Sequence, residues 1–322
     1  MRSSARIDVA NWCPTDIPGS YDLAIATIGY EDRSSYFWRT VRPSAASSFA
    51  FGFAEHEVLS FEKNLAFYNK AGFSVDRPDG SQYGAAVEAA LLASAPDKDV
   101  TRVVIDISSL TRDRIALACE CFGEHASNRV VEVDFVYYLA AFQRPGKRIK
   151  QNAYAGPVLP SFAGWWRYPE LPVAAVIGLG YEENKALGAV ELLQVPEAIW
   201  TFMPESTVKE YDAELLIANE ELLKRVPEDH RVTYTVEDPF RTYKGLAALR
   251  QSISDLYNVV LLPFGPKIFG LASILVGLAG HHTAVWRISA GIHAKPREAY
   301  THGDPFGLRV TFRSSSSEQP WD

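Results

Sequence analysis

Two apolar runs in this chain end on the same tripeptide, and the two copies stand 151 residues apart (180 − 29). The first run is DLAIATIGYE at 22–31, closing on Gly29-Tyr30-Glu31; the second is PVAAVIGLGYE at 172–182, closing on Gly180-Tyr181-Glu182. At the same offset SSFAFGF (47–53) falls on AIWTFMP (198–204), which sets Phe49 on Trp200 and Phe51 on Phe202. Farther on, VVIDISSLTRDRIALA (103–118) falls on VVLLPFGPKIFGLAS (259–273), with Arg112 on Lys267 at an offset of 155. Three segments in one order and nearly one register indicate a duplicated unit. Each ends a strand, and strand ends are where open α/β sheets bind ligands.

The pattern between these segments alternates strand and helix. In the first half strands are expected at 23–28, 48–53, 73–76, 102–107 and 129–138, with helices near 33–42, 59–71, 82–94 and 111–125. In the second, strands fall at 173–179, 198–203, 231–236, 258–263 and 284–290, and helices at 183–193, 210–225, 243–256 and 267–280. RVVIDI is almost continuously apolar, as a strand covered on both faces should be. The expected fold is α/β: two tandem Rossmann-like domains with mostly parallel sheets, related by internal duplication. The domains are set at 1–155 and 172–312. A Pro/Gly/Trp junction at 156–171 separates them, its Trp165 and Trp166 expected to pack, and a disordered tail covers 313–322. A last strand is expected at 307–312.

With 322 residues and 47% hydrophobic content the chain can bury two ordinary cores. A formal charge of −7 argues against a general nucleic-acid surface, which normally carries a basic excess. Cys13, Cys119 and Cys121 are an odd number with no framework spacing, which suits a reducing compartment and a cytoplasmic location. The opening MRSSARIDVANW has no signal-peptide core. The apolar stretch 259–280 is broken by Pro263, Pro266 and Lys267, so a strand, a loop and a buried helix are expected there; no direct membrane binding is expected. No HExxH or paired Cys/His spacing is present, and no metal or cofactor is expected. His293, His302 and Asp304 are the one histidine-bearing group that could converge.

In the commonest windings of this kind the first and fourth strands are neighbours. The loop Gly29-Tyr30-Glu31 would then face Ser108-Ser109-Leu110-Thr111-Arg112, and Gly180-Tyr181-Glu182 would face Phe264-Gly265-Pro266-Lys267. A hydroxyl-rich loop with an arginine, opening a helix, suits a phosphate: Ser108, Ser109, Thr111 and Arg112 are candidates, as are Gly265 and Lys267. The same hydroxyls could simply cap the helix. Glu31 and Glu182 could accept ribose hydroxyls or work as general acid/base, or complement a helix dipole. Asp106 could be catalytic or be tied to backbone N–H groups of the following turn. Arg33 has Asn184 as its counterpart, so the halves are not equivalent. The basic run 144–150 reads as a solvated turn.

The segment Val104-Ile105-Asp106-Ile107-Ser108-Ser109-Leu110-Thr111-Arg112 resembles the fourth-strand motif of CARF domains, with Leu110 where that family usually has glycine. CARF domains are Rossmann-like sensors that bind cyclic oligonucleotides in prokaryotic antiviral defence, and the related SAVED domains look like two such units fused. The resemblance implies a nucleotide-like anionic ligand and a sensor or recruiting subunit with a separate effector protein. In the leading reading of the paired loops, Thr111, Arg112 and Lys267 hold phosphates, with Glu31 and Glu182 reading ribose or base edges. The alternatives are a nucleotide hydrolase or transferase using Glu31 or Asp106, and a ligand-free scaffold.

Overall fold

The computed structural model describes residues 6–53, 55, 57–94, 98–127, 129–144, 154–164, 168–194, 197–280, 282–289 and 296–314. Trp165, Trp166, His293, most of the basic run and residues 315–322 of the tail lie outside them, while Arg313, expected in the disordered tail, ends a strand. The strands are β1 (Arg6–Trp12), β2 (Tyr21–Ile28), β3 (Ala45–Gly52), β4 (Ser74–Asp76), β5 (Val100–Asp106), β6 (Val130–Ala140) and β7 (Tyr154–Pro157), then β8 (Val173–Gly178), β9 (Ala198–Glu205), β10 (Arg231–Thr235), β11 (Asn258–Pro263), β12 (Ala284–Ser289) and β13 (Thr301–Arg313). The helices are α1 (Tyr36–Thr40), α2 (Phe61–Lys70), α3 (Tyr83–Ser94), α4 (Arg112–His125), α5 (Lys185–Leu192), α6 (Glu210–Ala218), α7 (Glu220–Leu223), α8 (Pro239–Ile253) and α9 (Lys267–Ala279).

They form two α/β sheets, one of seven strands in the order β1-β13-β6-β5-β2-β3-β4 and one of six in the order β10-β9-β8-β11-β12-β7. Ranked by chain order within each unit, β2 to β6 and β8 to β12 both run 3-2-1-4-5, with every one of those pairings parallel. The register agrees as well. Ile28 pairs with Gly52 and Gly178 with Phe202, both 24 residues on (52 − 28, 202 − 178). Between first and fourth strands the spacing differs: Leu23 pairs with Val103, 80 residues on, and Ile177 with Leu262, 85 residues on (103 − 23, 262 − 177). By that register Leu262 is the counterpart of Asp106, and the loop that follows is one residue shorter in the second unit. The commonest α/β winding shares this strand order, so the order by itself is not the signature of a duplication.

The central strands are buried on both faces. All eight residues of β2 are buried, as are all six of β11, which is why they read as apolar runs without alternation. Helix α9 is buried from Ile268 to Leu278, so the apolar stretch that precedes 280 is a strand followed by a core helix. Among the described residues no helix is long and apolar enough to cross a membrane.

The domain boundaries are corrected. The compact units are Met1–Ala141 with Lys295–Asp322, and Phe142–Ala294, instead of 1–155 and 172–312. The final strand, expected at 307–312 in the second domain, is Thr301–Arg313 and pairs antiparallel with β6 and β1 in the first sheet. Its period-two face, Leu308, Val310 and Phe312, is fully buried there. Arg309 stands opposite Asp134 of β6 and grips its carboxylate with two bonds of 2.7 Å, while Tyr21 of β2 donates to the same carboxylate at 2.6 Å. These contacts span up to 175 residues of sequence, beyond the reach of local pattern.

Candidate functional site

The first unit brings its two key loops together where the winding reverses, between β2 and β5. Glu31 follows β2 and accepts from Arg33 Nε at 2.6 Å; Ser109, after β5, donates to the same Glu31 oxygen at 3.3 Å. The pair is sheltered, with side-chain exposure of 7% for Arg33 and 16% for Glu31. Burial of Arg33 works against its charge, but the fields of Glu31, Tyr137 and Asp106 outweigh it, so the guanidinium is held above the ordinary arginine value. Arg33 Nη1 also reaches the Tyr138 carbonyl at 3.4 Å, and its amide donates to Ala299 O at 3.2 Å.

The loop itself is fastened from beneath. Phe61, Asn64 and Tyr68 share the buried face of α2, at the spacing that puts them on one stripe. Asn64 Nδ2 donates to Gly29 O at 2.9 Å and to Glu31 O at 2.8 Å, and its Oδ1 accepts from Ser35 Oγ at 2.6 Å. The Gly29 amide donates to Ser34 Oγ at 2.8 Å, and Tyr68 donates to Ser34 O at 2.6 Å. Tyr30 is half-buried against the core; burial first and the neighbouring Glu31 second push its pKa up.

Asp106 ends β5 with only 2% of its surface exposed. Its Oδ1 accepts from the Ser108 amide at 2.8 Å, the local turn that was one of its two expected roles. Ser108 is fully buried and its Oγ accepts from the Tyr138 amide at 3.0 Å. The influence of Asp106 is electrostatic: after burial, its field is the next cause that raises Tyr68 well above the usual range, and it adds to the rise of Tyr138 to about 12. Thr111 is the N-cap of α4, yet its side chain makes no capping bond and the residue is exposed; Arg112 beside it is half-buried. Thr111 thus leads from the loop after β5 into the first turn of α4, where Arg114 is already buried.

In the second unit the equivalent loops also meet, through main chain. The amides of Phe264 and Gly265 both donate to Gly178 O, at 2.8 and 3.0 Å. A Cβ on Gly180 would lie 2.8 Å from Phe264 O, and one on Gly265 would lie 2.7 Å from Leu179 O, so only glycine admits this approach. Glu182 is exposed and forms an ion pair with Lys185; Tyr181 lies against Tyr211, ring centroids 5.0 Å apart. Lys267 begins α9 and is half-buried. Among the described residues no group of three or more His, Cys, Asp or Glu is placed to hold a metal. His302 and Asp304 are exposed on β13.

Three important residues have no counterpart in the sequence reading. Asn64 and Asn219 occupy the same role: Asn219 Nδ2 donates to Gly180 O at 2.7 Å, as Asn64 does to Gly29 O. A buried asparagine within an otherwise apolar helical stripe is the signal for Asn64; Asn219 stands at the junction of α6 and α7. Arg114 is buried between the rings of Phe53 and Tyr83, at 3.9 and 4.6 Å, and donates to the carbonyls of Gly52 and Pro78, both at 2.9 Å. It steadies the end of β3; its place two positions after Arg112 puts it on the inner side of α4.

No family model matches this chain, and no curated protein does. Among solved structures, one described as a universal stress protein from Pseudomonas aeruginosa UCBPP-PA14 aligns over 83% of this chain and 92% of its own. The identity is 8% and the TM-score 0.24, a likeness too slight to bear on function.

Proposed function

We propose that the first unit binds a nucleotide-like anionic ligand at the crevice between the loops of β2 and β5. The observation that carries this reading is the bonded set of Glu31, Arg33 and Ser109, the last standing two residues ahead of the exposed Thr111 at the N-cap of α4. Thr111 and Arg112 would take phosphate oxygens there, and Glu31 a ribose hydroxyl or base edge. Gly29, Tyr30 and Ser108 would shape the walls. The likeness of 104–112 to the CARF motif supports the finer reading: a cyclic oligonucleotide as ligand, and a sensor that recruits a separate effector in antiviral defence. The second unit serves in this reading as a ligand-free half, because Gly265 spends its amide on Gly178 O. One observation favours an enzyme instead: Glu31 is held in one orientation by Arg33 and Ser109, which would position its carboxylate for proton transfer to a ligand within reach.

Calorimetry against a panel of linear and cyclic nucleotides tests this. Arg112→Ala should weaken binding roughly 10- to 150-fold, about 1.5–3 kcal/mol, the scale of a hydrogen bond to a charged group. Lys267→Ala should leave it unchanged. Glu31→Gln separates the readings, since a sensor retains most of its affinity whereas an enzyme loses turnover. No heat with any member of the panel, at protein concentrations that reveal micromolar binding, overturns the proposal.

A further inference from the structure

The segment that returns the chain to the first sheet passes over the candidate site. Glu298, just ahead of β13, spends both carboxylate oxygens on loops that follow β2 and β3. Oε1 accepts from the Asp32 amide at 2.5 Å and from its neighbour Ala299 at 3.2 Å; Oε2 accepts from Ser60 Oγ at 2.7 Å. The same strap is held by the Arg33 amide on Ala299 O at 3.2 Å and by the Ala141 amide on Tyr300 O at 2.9 Å. Its partners lie 238 and 266 residues away in sequence, so this clasp forms only when the fold is complete.

The chemistry of the clasp is that of an anion site. A backbone N–H and a hydroxyl converge on one carboxylate, neutral donors of the kind that also bind phosphate oxygens. They come from two carboxyl-end loops of a parallel sheet, where ligands of such sheets sit. Arg39 and Lys63 both pair with the Asp32 side chain, which fixes the residue whose amide Glu298 takes. Asp32 lies between Glu31 and Arg33, so whatever occupies this position also sets the loop that presents the pair.

We propose that Glu298 is a tethered competitor: its carboxylate fills the place that a phosphate of the ligand takes on the Asp32 N–H and the Ser60 hydroxyl. Binding then releases the strap at 296–300. The inference rests on the reading that the first unit takes an anionic ligand, and it adds a masked subsite and a release step to it.

The test uses the full-length chain, with inorganic pyrophosphate, AMP and a cyclic dinucleotide as probes. Glu298→Ala should bind at least one probe about 10-fold more tightly than the native chain, because a masked site reduces apparent affinity by its open fraction. Glu298→Gln, which preserves side-chain volume, should fall between them and stands in if Glu298→Ala does not fold. Probe binding to the native chain should speed amide exchange at 297–300. If the native chain binds a probe and neither variant binds it more tightly, Glu298 only positions the loop; this inference falls and the nucleotide reading stands. Binding by Glu298→Ala alone supports the mask. If neither the native chain nor a folded variant binds any probe, both readings fail.

Discussion

The two units wind their strands in the same order, and at the reversal point they do opposite things. In the first, the crevice between the first and fourth strands is walled by ionised side chains, Glu31 and Arg33 with Ser109. In the second, the same position is closed by main chain, with the Gly265 amide on Gly178 O and two glycines in close approach. Topology places the loops; it does not decide whether they meet through side chains or through main chain. The deciding difference is small in sequence. A fourth-strand loop one residue shorter, with Phe264-Gly265-Pro266 in place of the hydroxyl run, lets backbone meet backbone.

The sharpest way to break this contrast is through the ion pairs. Arg33→Met leaves Glu31 sheltered without its cation and should cost about 3–5 kcal/mol of local stability, the range for breaking one side of a buried pair. Lys185→Met removes the cation of the Glu182 pair, where the carboxylate is 48% exposed, and should cost about 0–1 kcal/mol. Hydrogen exchange in β2 and β8 measures each unit separately. Equal effects would mean that the Glu31–Arg33 pair is as solvated as its counterpart.

A second contrast exchanges side chain for backbone. Gly180→Ala drives a methyl to 2.8 Å from a carbonyl oxygen that cannot rotate away, and should destabilise β8 and β11 by about 2–3 kcal/mol. Gly29→Ala meets Ser34 Oγ at 3.2 Å and Ser109 Cβ at 3.3 Å, contacts that a shift of a few tenths of an ångström relieves. Its cost should stay near 1 kcal/mol. If Gly29→Ala proves the more damaging, the first crevice is the rigid one and the open reading of it is wrong.

Much of this was legible in the sequence. The run VVLLP was expected as a strand at 258–263 and is Asn258–Pro263; the helix expected at 267–280 is Lys267–Ala279. Such elements declare themselves because burial on both faces enforces continuous apolar composition. Helix α8 begins at Pro239, four residues ahead of the expected start, although its signal was present: Asp238 accepts from the Arg241 amide at 3.1 Å, with proline at the first helical position. The closure of the first sheet by β1 and β13 was not legible. β1 is an outer strand, largely exposed, whose composition states no preference, and β13 finds its place through Asp134 and Tyr21 far back in the chain. Of the candidate site, the meeting of the Glu31 and Ser109 loops follows from strand order. The clasp of Glu298 and the support from Asn64 do not, since both depend on where a side chain lands after packing.

The smallest contrast concerns that support. Asn219→Ala removes the donor to the part-buried Gly180 O and the buried Leu215 O, a cost of about 1–2 kcal/mol. Asn64→Ala likewise strips Gly29 O and Glu31 O of a donor, and in addition leaves the buried Ser35 hydroxyl without its acceptor. It should therefore cost about 1 kcal/mol more than Asn219→Ala. The excess should be local to the loop that carries Glu31 and Arg33, because Glu31 O is one of the released groups, while α2 retains Phe61 and Tyr68 in the core. Amide exchange at 29–35 in Asn64→Ala, compared with 180–186 in Asn219→Ala, measures the difference. A larger effect in the second unit would show that its main-chain seal, and not the charged loop of the first, depends more heavily on its asparagine, and the division of roles between the two crevices would have to be redrawn.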